Sequence, residues 1–257
     1  MLLRRIREQA ALHNWFGVGV DLIILIAGVF LGIQASNWNQ GRIDRVEGSA
    51  YRQRLVNEIE SNRLDLANRL IYYKDVKAFA KATLAALDWP VGDDPQAFLV
   101  SAYQASQITP RRTRRFTYDE ALSTGTAANL GAAGLRERIA NYYTAVETRE
   151  VTFLNVTPYR ENIRSAMPAA AQEAVRSQCP EAIPLAEDGL ALTFLPHGCT
   201  MRMDQAEAAR YAALVRTIPT LRPDLARAMA DLDAKIRLVE LLSDHARQII
   251  QQIKAAD

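Results

Sequence analysis

Four side chains with metal-binding chemistry alternate along His197-Gly198-Cys199-Thr200-Met201-Arg202-Met203. In an extended chain, alternate residues point to one side, so His197, Cys199, Met201 and Met203 would converge there. One imidazole and three sulfurs suit Cu(I). The competing chemistry is simpler. Cys179 and Cys199 are the two cysteines of the chain, and a bridge between them closes a loop of about twenty residues, for a stabilisation on the order of 3 kcal/mol. A bridged sulfur is no longer a thiolate and cannot bind a metal, so the disulfide is the favoured reading, with two core methionines after it.

A second cluster is cationic. Arg111, Arg112, Arg114 and Arg115 lie within five residues, followed by Phe116. Guanidiniums at this density can grip a phosphate, a lipid headgroup or an acidic partner, although such runs are commonly a solvated loop. The third feature is a lone carboxylate. Asp21 is the one ionisable residue between Phe16 and Ala35. At about 100° per residue, Gly28 and Gly32 fall about 20° to either side of its direction, with Gly17 and Asn39 close by. Small residues four apart allow close backbone approach, and a polar group on that face meets a partner better than lipid. The expected helix-association face is therefore Gly17, Asp21, Gly28 and Gly32. A lesser alternative casts Asp21 as the carboxylate of a proton-coupled single-span subunit.

No zinc-ligand spacing, phosphate loop, nucleophile elbow or dinucleotide fingerprint occurs. His13, His197 and His245 are scattered. No cofactor is expected, and an enzyme is the less favoured class. A net charge of +2 gives no global field for nucleic acid.

The elements that carry these residues can be read from hydropathy. Phe16 to Ala35 is long enough to span about 30 Å of hydrocarbon as a helix, and Trp15 and Trp38 flank it where indoles favour the interface. The run is too long for a signal peptide core, contains Asp21 and lacks a small residue at position 33. Arginines stand on both sides, so the positive-inside rule does not set orientation. A short basic tail with Arg4, Arg5 and Arg7 is easily retained in the cytosol, and an oxidising compartment suits the cysteines. The expected layout is a cytoplasmic tail over 1–14, a transmembrane helix over 15–38 and a periplasmic α-helical domain over 39–257.

Beyond the span the chain predicts helix after helix. Leu55, Ile59, Leu66, Leu70, Tyr73, Ala80, Leu84 and Leu87 mark a long amphipathic helix that continues toward the span. Trp89 to Pro95 is a stop, and a helix follows to about Gln107. Thr117 with Glu120 forms a capping box for a short helix. Gly and Ala mark a turn over 123–134, and another helix runs to about Asn155. The segment between the cysteines is irregular, with one extended stretch. Asp204 caps a helix to about Thr217, and Asp224 caps the last one. The fold class is all-α, with coiled-coil-like pairing.

"NWFGVGVDLIILIAGVFLGIQASNWN" (Asn14 to Asn39), with "TYDEALSTGTAANL" (Thr117 to Leu130) and "LRERIANYY" (Leu135 to Tyr143), resembles an uncharacterised bacterial family of single-pass inner-membrane proteins. The resemblance implies one amino-terminal span and a helical remainder, and brings no catalytic residues. The expected partners are the lipid bilayer and either a second copy or another single-span protein. The expected role is a non-enzymatic interaction or scaffold component of the cell envelope. The alternative is a sensory or ligand-binding module that signals through a partner.

Overall fold

The computed structural model describes residues 15–88 and 94–256. The basic tail, His13 and most of the Trp89 stop lie outside them. The fold is all-α: eight α-helices and one 3-10 turn among the described residues. These are α1 (Trp15–Asp88), α2 (Pro95–Gln104), α3 (Phe116–Ser123), the 3-10 turn (Thr126–Asn129), α4 (Ala133–Leu154), α5 (Pro158–Ala166), α6 (Ala169–Gln178), α7 (Gln205–Arg216) and α8 (Leu221–Lys254).

The membrane-length segment and the long amphipathic segment are one helix. α1 runs 74 residues without a break, about 110 Å at 1.5 Å per residue. No proline falls within it, so its hydrogen-bond ladder is uninterrupted. No residue of its first half, from Phe16 to Glu47, is buried. α1 is also the one described helix long and apolar enough to cross a membrane, by length and composition.

Gly48 is where α1 first enters the body. A β-carbon at Gly48 would collide with the carbonyl oxygen of Asn129, the last residue of the 3-10 turn. From there α1 and α8 pack antiparallel as the two long members of the bundle. Lys77 pairs with Asp233 and Asp88 with Arg222, so eleven residues forward on α1 is eleven back on α8. Heptad-related residues face inward along both, Leu55, Ile59, Leu66, Tyr73 and Ala80 against Ala228, Leu232, Val239, Ala246 and Ile253.

Two apolar clusters are stacked along this pair. The one nearer Gly48 is completed by α3 and by Leu135, Ile139, Tyr142, Tyr143 and Val146 of α4. The other is built from α2, α5, α6 and α7, with Phe98, Tyr103, Tyr159 and Val175 at its centre. Pro95 occupies the first turn of α2 behind the capping carboxylate of Asp94, and Asp204 caps α7, as the sequence predicts, through the Glu207 amide at 3.0 Å.

Several local expectations are corrected. Thr117 does not cap α3: it lies inside the helix, and its amide donates to Glu58 Oε2 of α1 at 2.7 Å. The capping carboxylate is supplied by a residue 59 positions away, while Glu120 pairs with Arg54. Asp224 does not cap α8 either. The helix starts at Leu221, and Asp224 in its first turn accepts from Asn162 Nδ2 at 2.7 Å. α2 ends three residues earlier than predicted, at Gln104. Helices α5 and α6 were not predicted as elements at all; Pro158 begins the first and Pro168 separates the pair.

Gly48→Ala is expected to lower body stability by about 1–3 kcal/mol through the forced shift at Asn129. Gly41→Ala, with open space around its β-carbon, should be neutral or stabilising, because alanine is the better helix former by about 1 kcal/mol. Thermal unfolding of the two variants compares them directly.

Candidate functional site

The residues with chemical potential fall into two regions far apart on α1. The first is the exposed apolar half. Phe30 and Leu31 are 58% and 65% exposed, and nothing lies within 4 Å of a β-carbon built on Gly28 or Gly32. The Gly28–Gly32 side is therefore open to close approach by another helix. Gly17 and Asp21 are half-buried near the start of the helix, and the side chain of Trp38 stands out at 69% exposure.

The second region is a polar stripe on the body half of α1. Glu58, Asn62, Asp65, Arg69 and Tyr72 recur at steps of four, three, four and three, and all are buried. Each of these side chains secures a segment that is not itself part of the α1–α8 pair. Asn62 forms a two-point amide pairing with the backbone of Arg114, donating to its carbonyl at 2.8 Å and accepting from its amide at 2.9 Å. Asn68, just beside the stripe, does the same for Thr193, with both distances 2.9 Å. Side-chain amides thus satisfy backbone groups that loops would otherwise leave unpaired.

The arginine run is built into this arrangement. Asp65 accepts from Arg69 Nε at 2.6 Å and lies 3.0 Å from Arg111 Nη2. Arg69 also donates to the Arg111 carbonyl at 2.9 Å and sits 5.2 Å from the Phe153 ring centroid. Arg111 reaches on to Asn68 Oδ1 at 2.7 Å and to the Ala191 carbonyl. Burial pushes the Arg111 guanidinium below its ordinary range, with Asp65 opposing that shift. Arg114 pairs with Asp188 at 2.5 Å. Arg115 pairs with Asp119 at 3.0 Å and Glu147 at 2.8 Å, and those hydrogen bonds push its pKa up. Arg112 alone of the four is mostly exposed, at 80% of its side chain. The anion-contact set Arg111, Arg112, Arg114 and Arg115 is thus mainly an internal clasp: Arg111, Arg114 and Arg115 are held by carboxylates at 3.0 Å or less, and Arg112 lies 3.9 Å from Glu150.

The segment between the cysteines is a small β-hairpin with two isolated antiparallel bridges, Ala182 with Phe194 and Leu185 with Ala191. Its turn is closed by Gly189, whose amide donates to the Ala186 carbonyl at 2.9 Å and whose φ is 76°. That left-handed conformation follows a Glu-Asp pair, as hairpin turns of this length require. At the open end Cys179 and Cys199 are joined in a disulfide, with Cα atoms 5.8 Å apart.

The disulfide takes Cys199 out of the metal-ligand set. Met201 is buried in the second cluster and Met203 packs against it, while His197 is 3.3 Å from Asp75 at the surface. With Cys199 bridged and His197 held against Asp75, the set His197, Cys199, Met201 and Met203 does not form the expected ligand site. Among the described residues no group of three or more His, Cys, Asp or Glu side chains gathers to hold a metal. Burial raises the Asp75 carboxyl above its ordinary value, with His197 pulling it down.

The stripe escaped the sequence reading because its members look like charges between apolar positions. The available signal was their heptad spacing, parallel to the apolar one.

Replacing Asp65 with Asn should destabilise the protein by about 3–5 kcal/mol, because Arg69 and Arg111 lose a buried counter-charge. Arg112→Ala should change stability by less than about 0.5 kcal/mol. Urea unfolding reads both. His245 stands edge-on to Tyr142 at 5.4 Å, and burial and then the Arg149 charge lower its pKa. A histidine with a lowered folded pKa is protonated more readily in the unfolded chain, so its contribution is full above about pH 6.5 and is lost as pH falls below it. His245→Phe should flatten that acid-side slope in Tm against pH.

No protein-family model, curated protein or solved structure matches the chain.

Proposed function

We propose that this chain is a single-pass membrane protein whose helical body acts as a non-enzymatic interaction or scaffold component of the bacterial envelope. The supporting observation is the unbroken helix α1, exposed and apolar from Leu22 to Ile33 and embedded in the body from Gly48 onward. A helix of this kind fixes the body's distance and orientation relative to whatever holds its apolar half. With the interface at Trp38, the body begins about 15 Å above it. The arginine clasp, held at Asn62 and Asn68, then lies about 36–45 Å away along the helix. That separation argues against lipid contact by Arg111–Arg115 and for a structural role.

The Cys179–Cys199 disulfide supports a periplasmic body, since such bonds persist in oxidising compartments. The family resemblance fits the same layout. Gly28 and Gly32, open on the Asp21 side of α1, support association with a second copy or another single span. The sensory alternative gains from the same continuous helix, which would carry a movement of the body into the bilayer. The cavity between Val76, Tyr159 and Lys235, about 30 Å³, holds no more than a water or two, whereas a cleft of about 330 Å³ between Arg54, Ser61, Arg114 and Asp188 is open to solvent.

Cysteine crosslinking of the full chain in native-like membranes tests the association face. Asp21→Asn and Gly28→Leu are expected to reduce crosslinking at that face about tenfold, corresponding to roughly 1.4 kcal/mol. Undiminished crosslinking in both variants contradicts it.

A further inference from the structure

In an otherwise helical protein, the hairpin between the cysteines has two unequal edges. Ala191 and Thr193 direct their backbone groups outward on one edge, where α1 and the clasp take up both groups of Thr193 and the carbonyl of Ala191. Asn68 pairs with both polar groups of Thr193, and Arg111 donates to the Ala191 carbonyl. Across the ladder, Ile183 and Leu185 occupy the equivalent positions on the opposite edge. Their amides and carbonyls make no hydrogen bond among the described residues, because the ladder runs through Ala182, Pro184 and Ala186. Pro184 uses its inward carbonyl to accept from Leu192 at 2.9 Å, so its missing donor does not interrupt the outer edge. The side chains on that edge are apolar and open: Ile183 is 57% exposed and Leu185 71%.

Exposed edges are commonly blunted by charge or bulges. This one is instead rigidly presented, with the disulfide at its base, the Gly189 turn at its tip and Asn68 along its back. We propose that the Ile183–Leu185 edge is a docking site that takes up an extended segment of a partner protein as an added β-strand. Charge selects the occupant. Glu181, which accepts from the Tyr72 hydroxyl at 2.7 Å, stands at one end of the edge, and Glu187 stands exposed at the other, beside an Asp188 already paired with Arg114. A second copy pairing antiparallel about Pro184 would set Glu181 against Glu187, a like-charge contact on both sides of the axis. An apolar strand flanked by lysine or arginine meets the same groups favourably. The partner is therefore a basic-apolar extended segment reaching the outer edge of the hairpin, across it from the stretch Ser61 to Asp75 of α1 to which Asp188 and His197 are tied.

This inference rests on the reading of the body as an interaction module and names the surface and the partner chemistry. The test uses the full chain in nanodiscs, a short acetylated and amidated peptide of alternating lysine and valine, and its glutamate-valine counterpart. Binding by anisotropy and residue-resolved amide exchange are measured together. The lysine peptide should bind at least about tenfold more tightly than the glutamate peptide and slow exchange at Ile183 and Leu185. Leu185→Lys and Glu187→Lys, both at exposed positions, should weaken it about tenfold while leaving the unfolding temperature unchanged. Equal binding of the two peptides, absence of binding, or binding without protection of those amides overturns the docking site. Concentration-dependent protection without peptide overturns it in favour of self-pairing. Protection elsewhere on the body would leave the interaction reading standing while removing the hairpin from it.

Discussion

One helix has to satisfy two surroundings, and the rest of the molecule is arranged around that constraint. α1 begins as an apolar rod with every side chain from Leu22 to Gln40 exposed. It ends as the central member of a bundle, with Leu55, Ile59, Leu66 and Ala80 fully buried. The change takes place without a break, between Trp38 and Gly48, through a segment rich in polar and charged residues. A flexible linker there would have left the body free to tumble; a helix ties its orientation to the apolar half. Because no proline relieves the ladder, bending would have to break backbone hydrogen bonds.

The body half of α1 carries an apolar stripe that binds α8 and a polar stripe that binds everything irregular. Burying Asp65 between Arg69 and Arg111 is costly in desolvation unless the geometry is well satisfied. Its consequence is specificity of position. The arginine loop sits where Asp65 and Asn62 hold it, and the hairpin sits where Asn68 and Arg111 hold it. Arg111 links the two, since its backbone carbonyl accepts from Arg69 and its side chain reaches Asn68 and Ala191. The disulfide then fixes the base of the hairpin to the end of α6. In this way a bundle with few loops presents one short extended edge in a fixed pose.

How much of this can be read from the chain depends on the range of the interactions. The apolar run, the stop before Pro95, the Asp204 cap and the inward face of α8 are set by local spacing, and they are legible. The caps that fail show the limit. Thr117 and Glu120 match a capping box, but Glu58 outcompetes Glu120 for the Thr117 amide because α1 brings a buried carboxylate there. Asp224 resembles an N-cap, yet Thr220 and Asn162 move the helix start upstream. Four arginines in five residues read as a solvated loop until Asp65, Asp188 and Glu147 arrive from three separate elements. Alternating His197, Cys199, Met201 and Met203 suggest one ligand face only while the chain is extended and Cys199 is free. Helices α5 and α6 are short, and α6 is alanine-rich, so their packing against α2 and α8 decides them more than their own pattern does.

The central claim is that the apolar half of α1 and the body are one uninterrupted helix. Spin labels at Leu31 and Leu64, both exposed on α1, measure it in nanodiscs when labelled chains are diluted with unlabelled ones. Thirty-three residues of continuous helix predict a single narrow distribution near about 50 Å. A broad distribution, or one centred well below about 40 Å, would show a hinge between Trp38 and Gly48 and contradict the account.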